Sequence, residues 1–282
     1  MLTIDAQVHA YERDRPERPW NAVLAGPAEV TGADMVAAMD AVGVDAAILV
    51  SPWTLYGYDE SYALQVQAEH PGRFALVKPV DIADPGVTET IADWAARTGT
   101  VAIRIMLSQT APSDANDPGF RRVLDSAARH GLPVNLSCKG RLDQVAALAA
   151  RYPDTRLVVD HLGLEQPHHP PVPQEPFAEL PKLLRLAAHD NVAVKVTGAC
   201  TLSREPFPYD DIWDPLAGVF EAFGLERCLW GTDWTRAMEL LTYEQGVAPF
   251  RLTDRLSGQE RADLMGRNLM RIYGWSPGGQ SE

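Results

Sequence analysis

The chain has three cysteines in 282 residues, Cys138, Cys200 and Cys228, far apart and never in a CxxC pair. That excludes a disulfide framework or zinc ribbon and points to a reduced, cytoplasmic setting. Positive charge is short as well: 25 Lys and Arg against 38 Asp and Glu give a net charge of −13. General nucleic-acid and anionic-membrane binding, which need a basic face, are therefore not expected. No run approaches the ~18 apolar residues of a membrane span. The first fifteen residues, MLTIDAQVHAYERDR, lack the basic and apolar regions of a signal peptide. Nor does a GxGxxG turn follow the first hydrophobic run, which weighs against a dinucleotide-binding sheet.

What the sequence has is alternation. Eight short runs rich in Val, Ile and Leu span residues 2–9, 46–53, 74–81, 101–107, 132–138, 156–163, 191–198 and 227–234. Most are nearly continuous in apolar character, as strands covered on both faces should be. Amphipathic segments lie between them. One opens at Thr31 and stops at Gly43, one runs from Asp117 to Gly131, one ends at the proline after Tyr152, and the last begins near Ser257. Eight strand–helix alternations predict a single (β/α)8 TIM-type barrel over residues 1–275, with 276–282 as a disordered tail. An open doubly wound sheet is the alternative. Long Pro-rich segments follow runs six and seven and would cover the C-terminal mouth, where barrels place their chemistry.

The C-terminal halves of these runs carry polar side chains that packing does not call for. They are Gln7 and His9, Ser51 and Trp53, Lys78, Arg104, Asn135 and Ser137, His161, Lys195 and Thr197, and Asp233. Singly, each has an ordinary reading: Lys78, Arg104 and Lys195 could pair with Asp81, Asp160 or Asp233, and either histidine could be a satisfied core group. Collected at one end of a barrel, they predict an active site. His168 and His169, among prolines, read as a solvated turn. His70, His130 and His189 read as cations at helix C-termini.

Several motifs resemble the amidohydrolase superfamily over nearly the whole chain. They are DAQVH (5–9), AIR (102–104), VVDHLG (158–163), VAVKVTG (192–198), LWGTDW (229–234) and RNLMRIYG (267–274). They are similar to the amidohydrolase-2 branch, in the group containing 2-pyrone-4,6-dicarboxylate lactonase, L-fuconolactonase and sulfomuconolactonase. The resemblance implies a (β/α)8 barrel hydrolase. Members generally carry HxH on strand one, where this chain has Gln7 and His9, and many carry a strand-five histidine, where it has Asn135.

Those departures bear on metal binding. His9, His161 and Asp233 could make a three-ligand site for Zn or Mn, while Gln7 and Asn135 offer only amide oxygens. The branch also includes enzymes that work without a metal, and a site with no required cofactor is the favoured expectation. The reaction it implies is opening of a small anionic lactone. Asp233 would serve as base, its carboxyl near an ordinary pKa of about 3.9 unless burial raises it. His9, His161 and Gln7 would polarise the carbonyl, each donor being worth about 3–4 kcal/mol. Lys78, Arg104, Asn135, Lys195 and Arg236 would bind substrate, with Trp53, Tyr56 and Trp234 as an apolar wall. Two alternatives stand: a metal-dependent decarboxylase or hydrolase on the same barrel, and a barrel that binds a small acid without turnover. Homo-oligomerisation is compatible with any of these.

Overall fold

A computed structural model describes residues 1–23 and 26–279. Eight parallel strands form one sheet in the order β1 to β8: β1 (Ile4–Val8), β2 (Ala46–Val50), β3 (Phe74–Pro79), β4 (Thr100–Ile105), β5 (Val134–Leu136), β6 (Leu157–Val159), β7 (Val192–Lys195) and β8 (Cys228–Leu229). Each lies inside one of the eight apolar runs, except that β4 begins one residue before its run, at Thr100. Two backbone hydrogen bonds join the last strand and its following turn to the first: Ala6 N to Trp230 O at 3.1 Å, and Asp233 N to Gln7 O at 3.0 Å. The sheet thereby curls into a (β/α)8 barrel, because each strand is followed by a helix that returns the chain to the same edge.

The helix boundaries follow the capping chemistry. Thr31 caps Gly32–Ala41 through a reciprocal box with Asp34, and Asp117 caps Pro118–Arg129 by accepting from Gly119 N. Gly43 and Gly131, just beyond the two helices, have φ of 66° and 64°, a left-handed conformation that a residue with a Cβ resists. Ser257 caps the last helical segment, which runs from Gly258 through a π turn to Tyr273. His70, His130 and His189 all stand at helix C-caps. The segment expected as a disordered tail is described in part. Pro277–Gly279 form a helical turn, and Gly278 N bonds to Gly72 O, while residues 280–282 lie outside the described ones. Among the described residues no helix is long and apolar enough to cross a membrane.

Two apolar clusters divide the core. The larger lies between strands and helices and takes residues such as Phe74, Leu76, Ile103, Ile105, Val134, Leu136, Val192 and Val194. The smaller fills the barrel interior with the alternate residues, among them Ile4, Ala6, Ile48, Ala75, Val77, Ala102, Ala193 and Leu229, closed by Leu269 and Tyr273. The two-residue strand period therefore decides which polar side chains face inward. Arg104, Asn135 and Lys195 share the interior face of Ala102 and Ala193. Lys78 shares the outer face of Phe74 and Leu76. On β1 the register shifts between Asp5 and Val8, so that Gln7 and His9 reach the interior although Ile4 and Ala6 already do. An irregularity of this kind re-aims side chains beside an active site.

Behind β1, the buried Asp5 carboxylate ties that strand to the turn after β8. It accepts from Thr232 N (2.9 Å), Thr232 Oγ1 (2.5 Å), Gln7 N (3.0 Å) and Tyr243 Oη (3.1 Å). A Cβ on Gly231 would stand 2.9 Å from Asp5 Oδ1 and 3.0 Å from Ala6 N, so the close approach requires glycine. Gly231→Ala is expected to destabilise the fold by about 1–3 kcal/mol through overpacking. Gly218→Ala, in the middle of helix Trp213–Phe223 with nothing within 4 Å of the new methyl, should stabilise by up to about 1 kcal/mol. Urea unfolding of the two variants checks this; equal effects would contradict the assignment.

Candidate active site

Three strand ends build the site. At the end of β1 stand Gln7 and His9. Past β6 the chain turns through Asp160 and His161, and past β8 through Thr232 and Asp233. His161, Leu162 and Asp233 have φ of 53°, 59° and 50°, left-handed values that cost a non-glycine residue about 1–3 kcal/mol each and that cluster at functional sites. The bond from Asp233 N to Gln7 O, and that from Arg236 N to Asp233 O at 2.9 Å, hold the second turn.

The side chains form one continuous web. Asp160, fully buried on the barrel floor, meets Arg104 Nε at 2.8 Å through Oδ2 and Lys195 Nζ at 3.0 Å through Oδ1. Burial alone would raise its carboxyl, but the two cations outweigh this and hold it well below the usual carboxylate range. Lys195 Nζ also donates to Gln7 Oε1 at 3.1 Å. This fixes the Gln7 amide, since its nitrogen cannot face an ammonium that only donates. Gln7 Nε2 therefore donates to His161 Nε2, 3.1 Å away, and the ring proton lies on Nδ1, toward Thr197 O at 3.4 Å. Burial pushes the His161 imidazole down to about 4, against the pull of Asp233 and Asp160. The ring is neutral at pH 7 and presents an acceptor at Nε2, not the donor expected from the sequence.

Asp233 sits between the two histidines. Its Oδ1 is 3.2 Å from His9 Nε2 and its Oδ2 3.7 Å from His161 Nε2. His9 Nδ1 lies 2.6 Å from Val50 O, so both ring nitrogens of His9 face oxygen acceptors. Burial acts to raise the Asp233 carboxyl, yet the His9 ring, with His161 and Arg236, reverses this and sets it at about 2. The carboxylate is ionised and a weaker base than a free one, the opposite of a value raised by burial.

Above this web opens a cavity of about 280 Å³. Of the residues proposed from the sequence, Gln7, His9, His161, Asp233, Arg104, Trp53 and Arg236 line it. Three predicted binding residues do not. Lys78, on the outer strand face, donates to Glu60 at 2.6 Å and lies over the Trp94 ring. Asn135, below the cavity, accepts from Tyr273 Oη at 2.8 Å. Lys195, wholly buried, is engaged by Asp160 and Gln7. Of the expected apolar wall only Trp53 lines the cavity; Tyr56 bonds to Glu12, and Trp234 stacks on Tyr243.

The sequence reading missed Lys139, Gln166 and His168, which line the cavity too. Lys139 directly follows the fifth apolar run, one residue beyond where that run was ended. His168, expected in a solvated turn, is half-buried and its imidazole is pushed down by burial. His169 remains exposed. The Pro-rich composition hid this difference, because prolines fix a loop's course without saying which side faces inward. Both amide atoms of Gln166, His168 Nδ1 and Trp53 Nε1 are buried without a partner among the described residues, so they are free to meet polar atoms of a ligand.

His9 Nε2, His161 Nε2 and an Asp233 oxygen are the donor types a Zn or Mn ion would use. The arrangement does not fit one. A Gln7 N–H is directed at the lone pair that His161 would give the ion, the Gln7 oxygen is turned away, and the Lys195 ammonium stands behind it. Among the described residues no group of three or more His, Cys, Asp or Glu is arranged to hold a metal ion.

A family model described as Amidohydrolase matches residues 4–275. The chain is similar to an L-fucono-1,5-lactonase of Burkholderia ambifaria, 31% identical over 182 residues. That alignment covers 62% of this chain and 60% of that protein. A 4-sulfomuconolactone hydrolase of Rhizobium radiobacter is 29% identical over 237 residues, 80% of this chain and 71% of that one. Among solved structures, an amidohydrolase of Burkholderia multivorans with bound zinc has the same fold. Its TM-score is 0.79 at 24% identity, over 97% of this chain and 99% of that one.

The His161 ring has a stability consequence of definite sign. Its folded value lies below the unfolded one, so the contribution is complete above pH 6.5 and is lost as pH falls toward 4. The loss should reach about 3 kcal/mol for a drop from 6.5 to about 4. Urea unfolding between pH 7 and 4 should show that slope in the natural chain and a shallower one in His161→Gln. Identical slopes would mean that His161 is not held neutral by the fold.

Proposed function

We propose that this chain, which belongs to the amidohydrolase family, is a lactonase-like hydrolase that opens a small anionic lactone with water activated at Asp233 and no required metal. The observation that carries this reading is the meeting of two acceptors, Asp233 Oδ2 and His161 Nε2, beside the Gln7 amide at the base of a cavity walled by Arg104 and Arg236.

A water lodged between the two acceptors gives one hydrogen to each and turns a lone pair toward the substrate carbonyl carbon. As the carbon–oxygen bond forms, Asp233 takes the water proton. A carboxylate held at about 2 is a weak base, so its advantage lies in position and in the neighbouring His161 nitrogen. Negative charge develops on the carbonyl oxygen and is met by the second N–H of Gln7, while His9 Nε2 holds Asp233 Oδ1 in place. The ring carbon–oxygen bond then breaks, and the proton held at Asp233 passes to the departing ring oxygen. One water is consumed, and the product is an open-chain hydroxy acid.

Arg104 spends only its Nε on Asp160, leaving its two terminal nitrogens for a substrate carboxylate, and Arg236 adds a second cation. The unpartnered polar atoms of Gln166, His168 and Trp53 suit a ring with further oxygen substituents. The metal-free reading rests on the orientation of Gln7. Three buried, unpaired cysteines accord with a reducing cytoplasm.

Proton release should appear when purified enzyme is offered a panel of carboxylated lactones, equally with and without chelator and at substoichiometric metal content. Loss of activity on chelation, restored by Zn or Mn, would replace this reading with the metal-dependent one. Asp233→Asn should lower kcat by about 10³-fold or more with the fold retained. Near-normal turnover would exclude Asp233 as the base. Arg236→Ala leaves the Asp160 pairs intact and should raise KM for carboxylated lactones about tenfold while sparing neutral ones.

A further inference from the structure

From the placement of Lys195 we infer that this residue is a positioning residue for the reaction: a fixed, buried cation that acts on the substrate through the Gln7 amide. The inference rests on the lactonase reading for its kinetic arm only.

Three observations carry it. Asp160 is one carboxylate meeting two cations, Arg104 Nε at 2.8 Å through Oδ2 and Lys195 Nζ at 3.0 Å through Oδ1, so the group holds one positive charge more than Asp160 neutralises. A second ammonium in a dry layer is costly unless its remaining N–H groups are used. One of them is used, on Gln7 Oε1 at 3.1 Å. Finally, Lys195 is fully buried and does not line the cavity, whereas Gln7, which it contacts directly, does.

Two effects follow from that contact. The amide cannot flip, because a flip would set its N–H₂ against the ammonium, so both N–H groups stay directed at His161 and the cavity. The ammonium also draws electron density from the amide oxygen, which makes those N–H groups stronger donors, as in any hydrogen-bond chain ending on a charge. The positive charge that an ion would bring to this end of a barrel is here attached to β7 and delivered by a neutral side chain. Gln7 and Lys195 therefore work as a pair.

A double-mutant cycle tests the pairing. Lys195→Met should lower kcat about tenfold to a hundredfold with KM changed less than about twofold, the pattern of a lost transition-state interaction. In a Gln7→Met background the same change should lower kcat less than about threefold. An equal loss in both backgrounds, or an effect on KM alone, would overturn the inference.

A second arm needs no substrate. In ¹⁵N-labelled protein the Gln7 side-chain amide protons should move upfield in Lys195→Met, and an unchanged pair of signals would overturn the coupling. If Lys195→Met does not fold, Gln7→Glu keeps the Lys195 partner while removing the donor. The His161 ring proton should then move from Nδ1 to Nε2, read from the ring ¹⁵N shifts, and a ring that keeps its tautomer would likewise overturn it. Should no lactone be turned over while the amide shifts behave as expected, the lactonase reading fails and the pairing stands.

Discussion

The Asp160 carboxylate organises the polar half of this barrel. It sits on the floor of the mouth with no access to water, and its charge is tolerable only because Arg104 and Lys195 meet it from β4 and β7. Each cation then has N–H groups left over. Arg104 lines the cavity with its terminal nitrogens outside the Asp160 contact, and one N–H of Lys195 fixes Gln7, which in turn fixes the His161 ring beside Asp233. A chain of contacts from one carboxylate thus sets the amide orientation, the tautomer and the direction of the free guanidinium. Removing Asp160 would leave two buried cations unpaired, a larger disturbance than the loss of either partner.

A second carboxylate does comparable work from behind. Asp5 gathers four donors from β1, the turn after β8 and Tyr243, so the backbone at Gln7 and that at Thr232 cannot drift apart. Burial raises its carboxyl to about 6, with those four donors opposing the rise. The left-handed turns at His161 and Asp233 persist because the surrounding structure over-determines them. The aspartate is suited to its place, since a short polar side chain tolerates that conformation better than a branched one.

The barrel was legible because strands buried on both faces leave an unbroken apolar run, and all eight were found. The direction in which a polar residue points was less legible. Arg104 and Lys78 look alike in sequence, each a cation inside an apolar run, yet one faces the cavity and the other the helices. Counting by twos from Ala102 and Ala75 separates them once the interior face is known, and that face is a property of the closed sheet. At β1 the count itself breaks at the register shift, which no local pattern announces. Lys195 and Asn135 face inward as counted but lie too deep to line the cavity, and depth along a barrel axis is not encoded in any one strand. His168 was hidden for a different reason: its surroundings are set by loops that meet only in three dimensions.

The contrast between cavity and surface has a kinetic side. The chain carries a net charge of −13, while the proposed site presents arginines. A small anion approaching from a distance meets repulsion first and attraction only within the mouth. At 0.15 M ionic strength the far field is screened beyond about 8 Å, whereas the contacts inside, partly shielded from water, are screened much less. Dilute buffer would therefore slow the encounter and moderate salt would quicken it. This is the reverse of electrostatic steering, and it favours a site that selects its ligand at contact rather than one that collects it from afar.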